Sequence, residues 1–302
     1  MLNRTDMKND TDPFTQLIQL FRLEVEVYHN ARICGDWAIQ EHEPGMTCFH
    51  IVTEGRCYLD VPGYLSMTLS QGDLVIFPRE LPHTMKQADG LSGKQQHLPF
   101  SESAGKKGTG MLCGRATFEH CGHRFLLDAL PAVFIVKAAQ SQHWLNALLL
   151  LIGSESHSPS MASTAVLNRL SEMLFVFALR QYLRDNPQES GLLGLYLHPR
   201  LRHAIQAIHT QPKKKWSLTE LAGTCALSRT AFANTFKQVS GQTAMQYITW
   251  WRMQLAWSLL VLGDSVATVA DQVGYQSEAA FARAFQRQFG QGAGAVRRMG
   301  RR

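Results

Sequence analysis

The chain has no apolar run long enough to cross a bilayer. Its most apolar stretches, ALLLLIG at 147–153 and MLFVFAL at 173–179, fall far short of a membrane span. It has no CxxC pair. Its six cysteines stand scattered at 34, 48, 57, 113, 121 and 225, which gives no disulfide framework and leaves thiols that pack as small hydrophobes. The opening MLNRTDMKNDTDPF mixes acids, bases and amides, so no secretory signal begins there. There is no short-period repeat and no low-complexity tract. The last scarcity is local: residues 200–302 hold only 4 Asp and Glu against 14 Lys and Arg, while residues 1–199 hold 20 acids against 16 bases. These features predict a cytoplasmic protein of two domains whose last third faces a polyanion, nucleic acid first and an anionic membrane surface second.

The pattern changes along the chain. Residues 14–29 read as a short entry helix. From about 33 to 90, alternating β-branched and aromatic residues with turn signals at Glu54-Gly55, Pro62-Gly63 and Gln71-Gly72-Asp73 predict consecutive hairpins. The polar stretch 87–110 reads as a long mobile loop, after which MLCGRATFEH and AVFIVKA resume as strands. Helices are expected around 141–152 and 163–184. The second is apolar almost all round from Met173 to Leu179, as in a helix covered by its own domain and a second subunit. RDNPQESG opens a linker at 185–199, and everything beyond is helical. The expected division is a sensor and dimerisation domain at 1–184, the linker, and a DNA-binding domain at 200–302.

The basic third carries two similar units. In WSLTELAGTCALSRTAFANTFKQVSG (216–241), Ser217 with Glu220 forms a capping box and Leu218, Leu221 and Ala222 make a buried stripe. A tight turn is expected at Gly223–Leu227, after which Ser228 caps a helix with Phe232, Phe236 and Val239 on one face. This is helix-turn-helix spacing. The logic recurs at 265–290: Val266, Val269, Ala270 and Val273, a turn at Gly274-Tyr275, a cap at Ser277, then Phe281, Phe285 and Phe289. The phenylalanines hold the last helix down while small outer residues let it approach base edges. The helix at 244–262 between the units is about 27 Å long at ~1.5 Å per residue, long enough to hold two reading helices near successive major grooves.

On these residues the segment 200–302 resembles the AraC/XylS-type transcription regulators. The second unit follows that family's pattern at Gly274, Tyr275, Ser277, Phe281, Arg283, Phe285, Phe289 and Gly290. The first follows it at Leu221-Ala222, Ser228, Phe232, Phe236 and Gly241, and Arg252 and Ala256 fit the connecting helix. The departures are Ala244 and GQGAGAVRR where proline is usual, with Val296 in place of a common tyrosine, so a looser last turn is expected. The resemblance implies groove-facing residues Arg229, Thr230, Ala233, Asn234 and Lys237 in the first unit, and Glu278, Ala279, Ala280, Arg283 and Arg287 in the second. Asn234 suits adenine and Arg283 guanine. Lys213, Lys214, Lys215 and the tail Arg297, Arg298, Arg301 and Arg302 read as phosphate contacts or solvated charge.

The hairpins resemble a cupin-type β-barrel over about 37–140, most clearly in FHIVTEG and GDLVIFPRELPH. The implied fold class is α+β: a cupin-like barrel with flanking helices, then an all-α domain with two helix-turn-helix units joined by a long helix. His50 and His83 with Cys48 could face the barrel interior. His42 and Glu43 would be the fill-ins for a metal, but the spacing is not clean, and no metal and no cofactor is assigned. Cys113, His120, Cys121 and His123 form a second cluster, in which imidazole beside thiol would favour oxidation. The effector or redox candidates are thus His50, His83, Cys48, Cys113 and Cys121.

The expectation is a sequence-specific regulator of transcription, not an enzyme, whose barrel receives a small molecule, an oxidant or a metal. Its partners would be promoter DNA, a second copy of itself and RNA polymerase, with no membrane. The alternative is a cupin metalloenzyme with a helical partner domain. A structural or membrane-surface protein is a third reading, which the two capped helices disfavour.

Overall fold

The computed structural model describes residues 12–40, 43–118, 127–141, 143–186 and 191–300. They form two compact units. Leu23–Phe118 with Leu130–Asn186 make one; the other gathers helix α1 (Pro13–Phe21), residues 127–129 and everything described from Gly191 onward.

Helix α1 stops earlier than the sequence suggests. Asp12 caps it, accepting from the backbone N–H of Phe14 and Thr15 at 3.0 Å, and Arg22 ends it in the left-handed region at φ 44. LEVEVY then alternates apolar and acidic residues, so strand β1 (Leu23–Cys34) forms where an entry helix to residue 29 was expected. The other strands are β2 (Ala38–Ile39), β3 (Thr47–Glu54), β4 (Arg56–Val61), β5 (Leu65–Ser70), β6 (Leu74–Phe77), β7 (Thr84–Gln87), β8 (Gln96–Leu98), β9 (Thr109–Phe118) and β10 (Phe134–Val136).

These strands make two antiparallel sheets, ordered β10-β6-β3-β9-β1-β8 and β2-β7-β4-β5. The inner faces share one core. Cys48, Val52, Val75, Phe77, Met111 and Cys113 come from the first sheet, and Cys57, Leu59, Val61, Leu69 and Met85 from the second, with Trp37 among them. The expected barrel is thus an open two-sheet sandwich of cupin-like form. The three predicted turns are present, but only Pro62-Gly63 closes a hairpin, β4–β5. The turns at Gly55 and Gly72 carry the chain from one sheet to the other, because a sandwich must exchange strands to bury both inner faces. Asp73, in the last of these turns, is buried and accepts from Lys137 Nζ at 2.8 Å and Ala138 N at 3.0 Å.

The stretch 87–110 is not one long loop. Gln96–Leu98 pairs with Arg32–Cys34, and Phe100 is buried in a short 3-10 turn. A single buried aromatic and three paired residues anchor what composition reads as mobile. Helices α2 (Trp144–His157) and α3 (Ser163–Asp185) fall where expected. Asn168 of α3 accepts from the backbone of Val27 at 3.0 Å, and Phe175 packs edge-on to Phe118. Trp144 and Phe177 stack with centroids 5.2 Å apart.

The second unit is helical: α4 (Leu192–Leu197), α5 (Leu201–Thr210), α6 (Leu218–Thr224), α7 (Arg229–Ser240), α8 (Ala244–Val261), α9 (Val266–Gln272), α10 (Glu278–Phe289) and α11 (Ala293–Met299). The region expected as a linker therefore contains α4, whose Leu192, Leu193 and Leu195 are buried. The signal was the leucine run itself, which a solvated linker has no use for. Helix α1 lies against α5 and α8, with Leu17 buried and the Phe14 ring 6.0 Å from Tyr196. A buried polar chain runs through the same core. Tyr196 and Tyr247 share a hydrogen bond of 3.0 Å, Tyr247 meets His209 Nε2 at 2.7 Å, and the His209 ring stacks on Trp251 at 3.4 Å.

Candidate functional site

The first helix-turn-helix is built from its caps inward. Ser217 Oγ accepts from Glu220 N at 3.2 Å and Glu220 accepts from Ser217 N at 2.9 Å, the reciprocal box. Those hydrogen bonds from Ser217, with Lys214 adding to them, hold the Glu220 carboxyl down at about 2. Helix α6 runs through Gly223, so the turn starts later than expected. Ala226 takes the left-handed conformation at φ 50, and Leu227 N donates to Ala222 O at 3.0 Å. Ser228 caps α7, and the fully buried rings of Phe232 and Phe236 press that helix onto the core. The opposite face is open: Arg229, Thr230, Asn234 and Lys237 are exposed, with Ala233 half-buried between them.

The second unit repeats the plan. Ser265 caps α9, Gly274 turns the chain at φ 81, Tyr275 N donates to Ala270 O at 2.9 Å, and Ser277 Oγ accepts from Ala280 N. Phe281 and Phe285 are fully buried and Phe289 half-buried; Trp257 stacks on Phe285 and lies 4.8 Å from Phe289. Glu278, Ala279, Arg283 and Arg287 are exposed and Ala280 half-buried. Positions 279, 283 and 287 recur every four residues, so they share one face of α10.

Both units hang on α8. Thr243 caps it in a second capping box with Gln246, which does the work of the proline usually found there. Val296 is fully buried, so the valine that replaces the common tyrosine still anchors α11. The lysine triplet divides. Lys213 Nζ meets both Asp271 oxygens at 2.7 Å, Lys214 pairs with Glu220 at 3.2 Å and sits over the Trp216 ring, and Lys215 is exposed. Arg297 donates to Gly263 O at 3.2 Å, and Arg301 and Arg302 lie outside the described residues. Sequence reasoning missed what Arg252 does: from α8 its guanidinium donates to the carbonyls of Pro212 and Lys214.

In the sandwich, strand register brings together what the sequence left apart. Cys113 of β9 stands opposite His29 of β1 and opposite His50 of β3, so three strands place an imidazole, a thiol and an imidazole in one row. His83, from the end of the segment before β7, lies with its ring 5.3 Å from His50 and stacked on Phe77 at 4.4 Å. Cys48 Sγ is 3.9 Å from His50 Nε2. His50 and His83 are each 5% exposed, and the buried His50 Nδ1 and Trp37 Nε1 have no hydrogen-bond partner among the described residues. Burial, with His83 nearby, lowers His50 to about 3; burial likewise lowers His29 to about 4. The thiols move the other way. Burial raises Cys57 to about 12 and pushes Cys48 and Cys113 up as well, with Glu80 beside Cys48 adding to the effect. A thiol held protonated is a poor nucleophile. Among the described residues no three His, Cys, Asp or Glu side chains converge to hold a metal ion. Glu43 is exposed near Arg115, and His42, His120, Cys121 and His123 lie outside the described residues.

Comparison with known proteins agrees with this plan. Residues 12–184 match the family described as Cupin, and residues 221–299 match the one described as a helix-turn-helix domain. The HTH-type transcriptional regulator MtrA of Neisseria gonorrhoeae is 31% identical over 303 residues, covering 96% of this chain and 99% of MtrA. The RCS-specific HTH-type transcriptional activator RclR of Escherichia coli (strain K12) is 27% identical over 284 residues, 92% of this chain and 94% of RclR. AlkR of Acinetobacter baylyi, also an HTH-type transcriptional regulator, is 26% identical over 299 residues, 93% of this chain and 97% of AlkR. The chain belongs to the AraC-type DNA-binding transcription regulators that carry a cupin domain ahead of the helix-turn-helix domain.

Proposed function

We propose that α7 and α10 read two adjacent major grooves of one promoter site, with Asn234 and Arg283 as the base readers and Arg229, Thr230, Lys237 and Arg287 on phosphate or flanking edges. Ala233, Ala279 and Ala280 serve by being small, and Glu278 suits a cytosine amino group. One observation carries this reading: each helix is capped by a serine and pinned by buried phenylalanines, so its exposed face is rigid, and that face holds a bidentate donor.

The same reading makes the sandwich the sensor, with DNA binding and not catalysis as the output. The protonated thiols, with His50 Nδ1 and Trp37 Nε1 unpartnered among the described residues, favour a small polar molecule over an oxidant as the signal. The exposed Leu150, Leu151, Val166 and Met173 on α2 and α3 suit a homodimer, which would double the readers on a repeated site. RNA polymerase is the further partner, and the cytoplasm the place. No described helix is long and apolar enough to cross a membrane.

The test is footprinting on duplexes that the full-length protein selects from a random pool. Wild type should protect two boxes one helical turn apart. Arg283→Ala should lose about 1–3 kcal/mol of discrimination at one base pair of one box. Lys237→Ala should weaken all sequences alike and lower the salt slope by about 1. Protection that ignores salt, or an Arg283→Ala footprint identical to wild type, would sink the assignment.

A further inference from the structure

Two reading helices joined only by α8 would be held by a single rod, and helices bend gently under load. The structure contains a second tie. The loop that leads into the Ser217 cap belongs to the first helix-turn-helix: Lys214 reaches Glu220 and Trp216 there. Arg252, in the middle of α8, grips this loop from beneath. Its Nε donates to Pro212 O and its Nη2 to Lys214 O, both at 2.8 Å. A planar guanidinium with two charge-assisted hydrogen bonds fixes direction as well as distance.

The far side of the loop meets the second helix-turn-helix. A Cβ on Gly274 would stand 2.7 Å from Lys213 O and 3.0 Å from Arg252 Nη2. The turn of the second unit is therefore in van der Waals contact with the loop of the first and with the residue that holds it. Lys213 closes over the gap to Asp271 of α9. Both of those side chains are well exposed, so the ion pair adds little and the weight rests on Arg252 and the close fit at Gly274.

We propose that the Pro212–Lys214 loop, pinned by Arg252 against Gly274, is a strut that fixes the spacing at which the protein accepts two DNA boxes. Arg252 is then a positioning residue that never touches DNA. Lys214 of the strut lies four residues before α6, and Gly274, which it meets, lies four residues before α10, so a shift in the strut moves one reader against the other. One inserted base pair displaces the second box by about 3.4 Å and turns it by about 34°. A braced pair of readers does not follow that step; an unbraced pair does so more readily. The inference rests on the two-box reading above.

The experiment measures binding of the full-length protein to the selected two-box duplex and to the same duplex with one base pair inserted between the boxes. Wild type should lose about 100-fold on insertion, the avidity of the second box. Arg252→Gln should bind the native spacing about tenfold more weakly, while its loss on insertion shrinks to about tenfold or less. Gly274→Ala, which removes no side chain but forces the turn off the loop, should shrink the ratio in the same way. A merely structural defect would weaken both duplexes alike and leave the insertion ratio at its wild-type value; that result overturns the strut. So does a wild type indifferent to insertion while both boxes stay protected. If wild type protects a single box, the two-box reading fails and takes the strut with it. Thermal melts show whether the variants are folded. Loss of fold in both would also overturn the proposal, since a strut outside the two hydrophobic cores can be removed without unfolding them.

Discussion

The two helix-turn-helix units solve one geometric problem with different residues at the turn. Ala226 and Gly274 occupy equivalent places: each is left-handed, and each is followed by a residue whose N–H returns to the carbonyl of an alanine in the preceding helix, Leu227 to Ala222 and Tyr275 to Ala270. An alanine accepts that backbone at a cost of about 1–2 kcal/mol. Positive φ alone therefore does not demand glycine in the second unit. What demands it is the loop carbonyl of Lys213, too near for any Cβ, whereas Ala226 is exposed. A glycine in a turn can thus mark a neighbour and not only a dihedral angle.

The units also differ in what fills their cores, and experiments can press on that difference. The largest effect should come from the phenylalanines. Phe236→Ala and Phe285→Ala each remove a fully buried ring and should cost about 3–5 kcal/mol. Chemical denaturation would register the loss, and footprints should fade at the first box for Phe236→Ala and at the second for Phe285→Ala. If both variants lost both boxes together, the units would not be separable readers.

A smaller effect distinguishes the first unit by its polar chain. Burial holds the His209 imidazole well below its usual 6.5, so the folded chain keeps it neutral where the unfolded chain takes a proton. At neutral pH this costs nothing. As pH falls below about 6.5, the unfolded state gains by about 1.4 kcal/mol per pH unit, and stability drops. Between pH 6.5 and 5 stability therefore falls, and His50 of the sandwich adds its own share by the same sign. Urea midpoints at the two pH values should fall less far in His209→Gln than in wild type. An equal fall would show that His209 titrates normally.

The smallest effects belong to the turns. Gly274→Ala should cost about 2 kcal/mol, and Ala226→Gly should be neutral or stabilising by up to about 1 kcal/mol as strain at φ 50 is released. Equal responses at the two sites would mean that the loop yields freely and the close approach is unimportant.

The helical unit was legible because its signals are local. Caps at Ser217, Ser228 and Ser277 and phenylalanines four residues apart declare helices within a dozen residues, and the structure places each cap where the sequence puts it. Exposure of Arg283 and Asn234 follows from the same periodicity. The strut was not legible, because Arg252, Pro212 and Gly274 meet only through the tertiary fold. In the sandwich most strands were readable from alternation, but β1 and β8 were not, and neither were the partners of any strand. Cys113 comes between His29 and His50 through the register of β1, β9 and β3, which no short window contains. The same limit applies to the turns at Gly55 and Gly72, where sequence shows a reversal but not a change of sheet.

Helix α1 has a consequence for how the molecule is made. Leu17 and Leu20 leave the ribosome well before α5 and α8, against which the helix lies and which begin only at Leu201 and Ala244. At about 5–20 residues per second the amphipathic helix waits on the order of ten to forty seconds for its seat. A reader fragment begun at α4 would be produced with the surface meant for α1 uncovered.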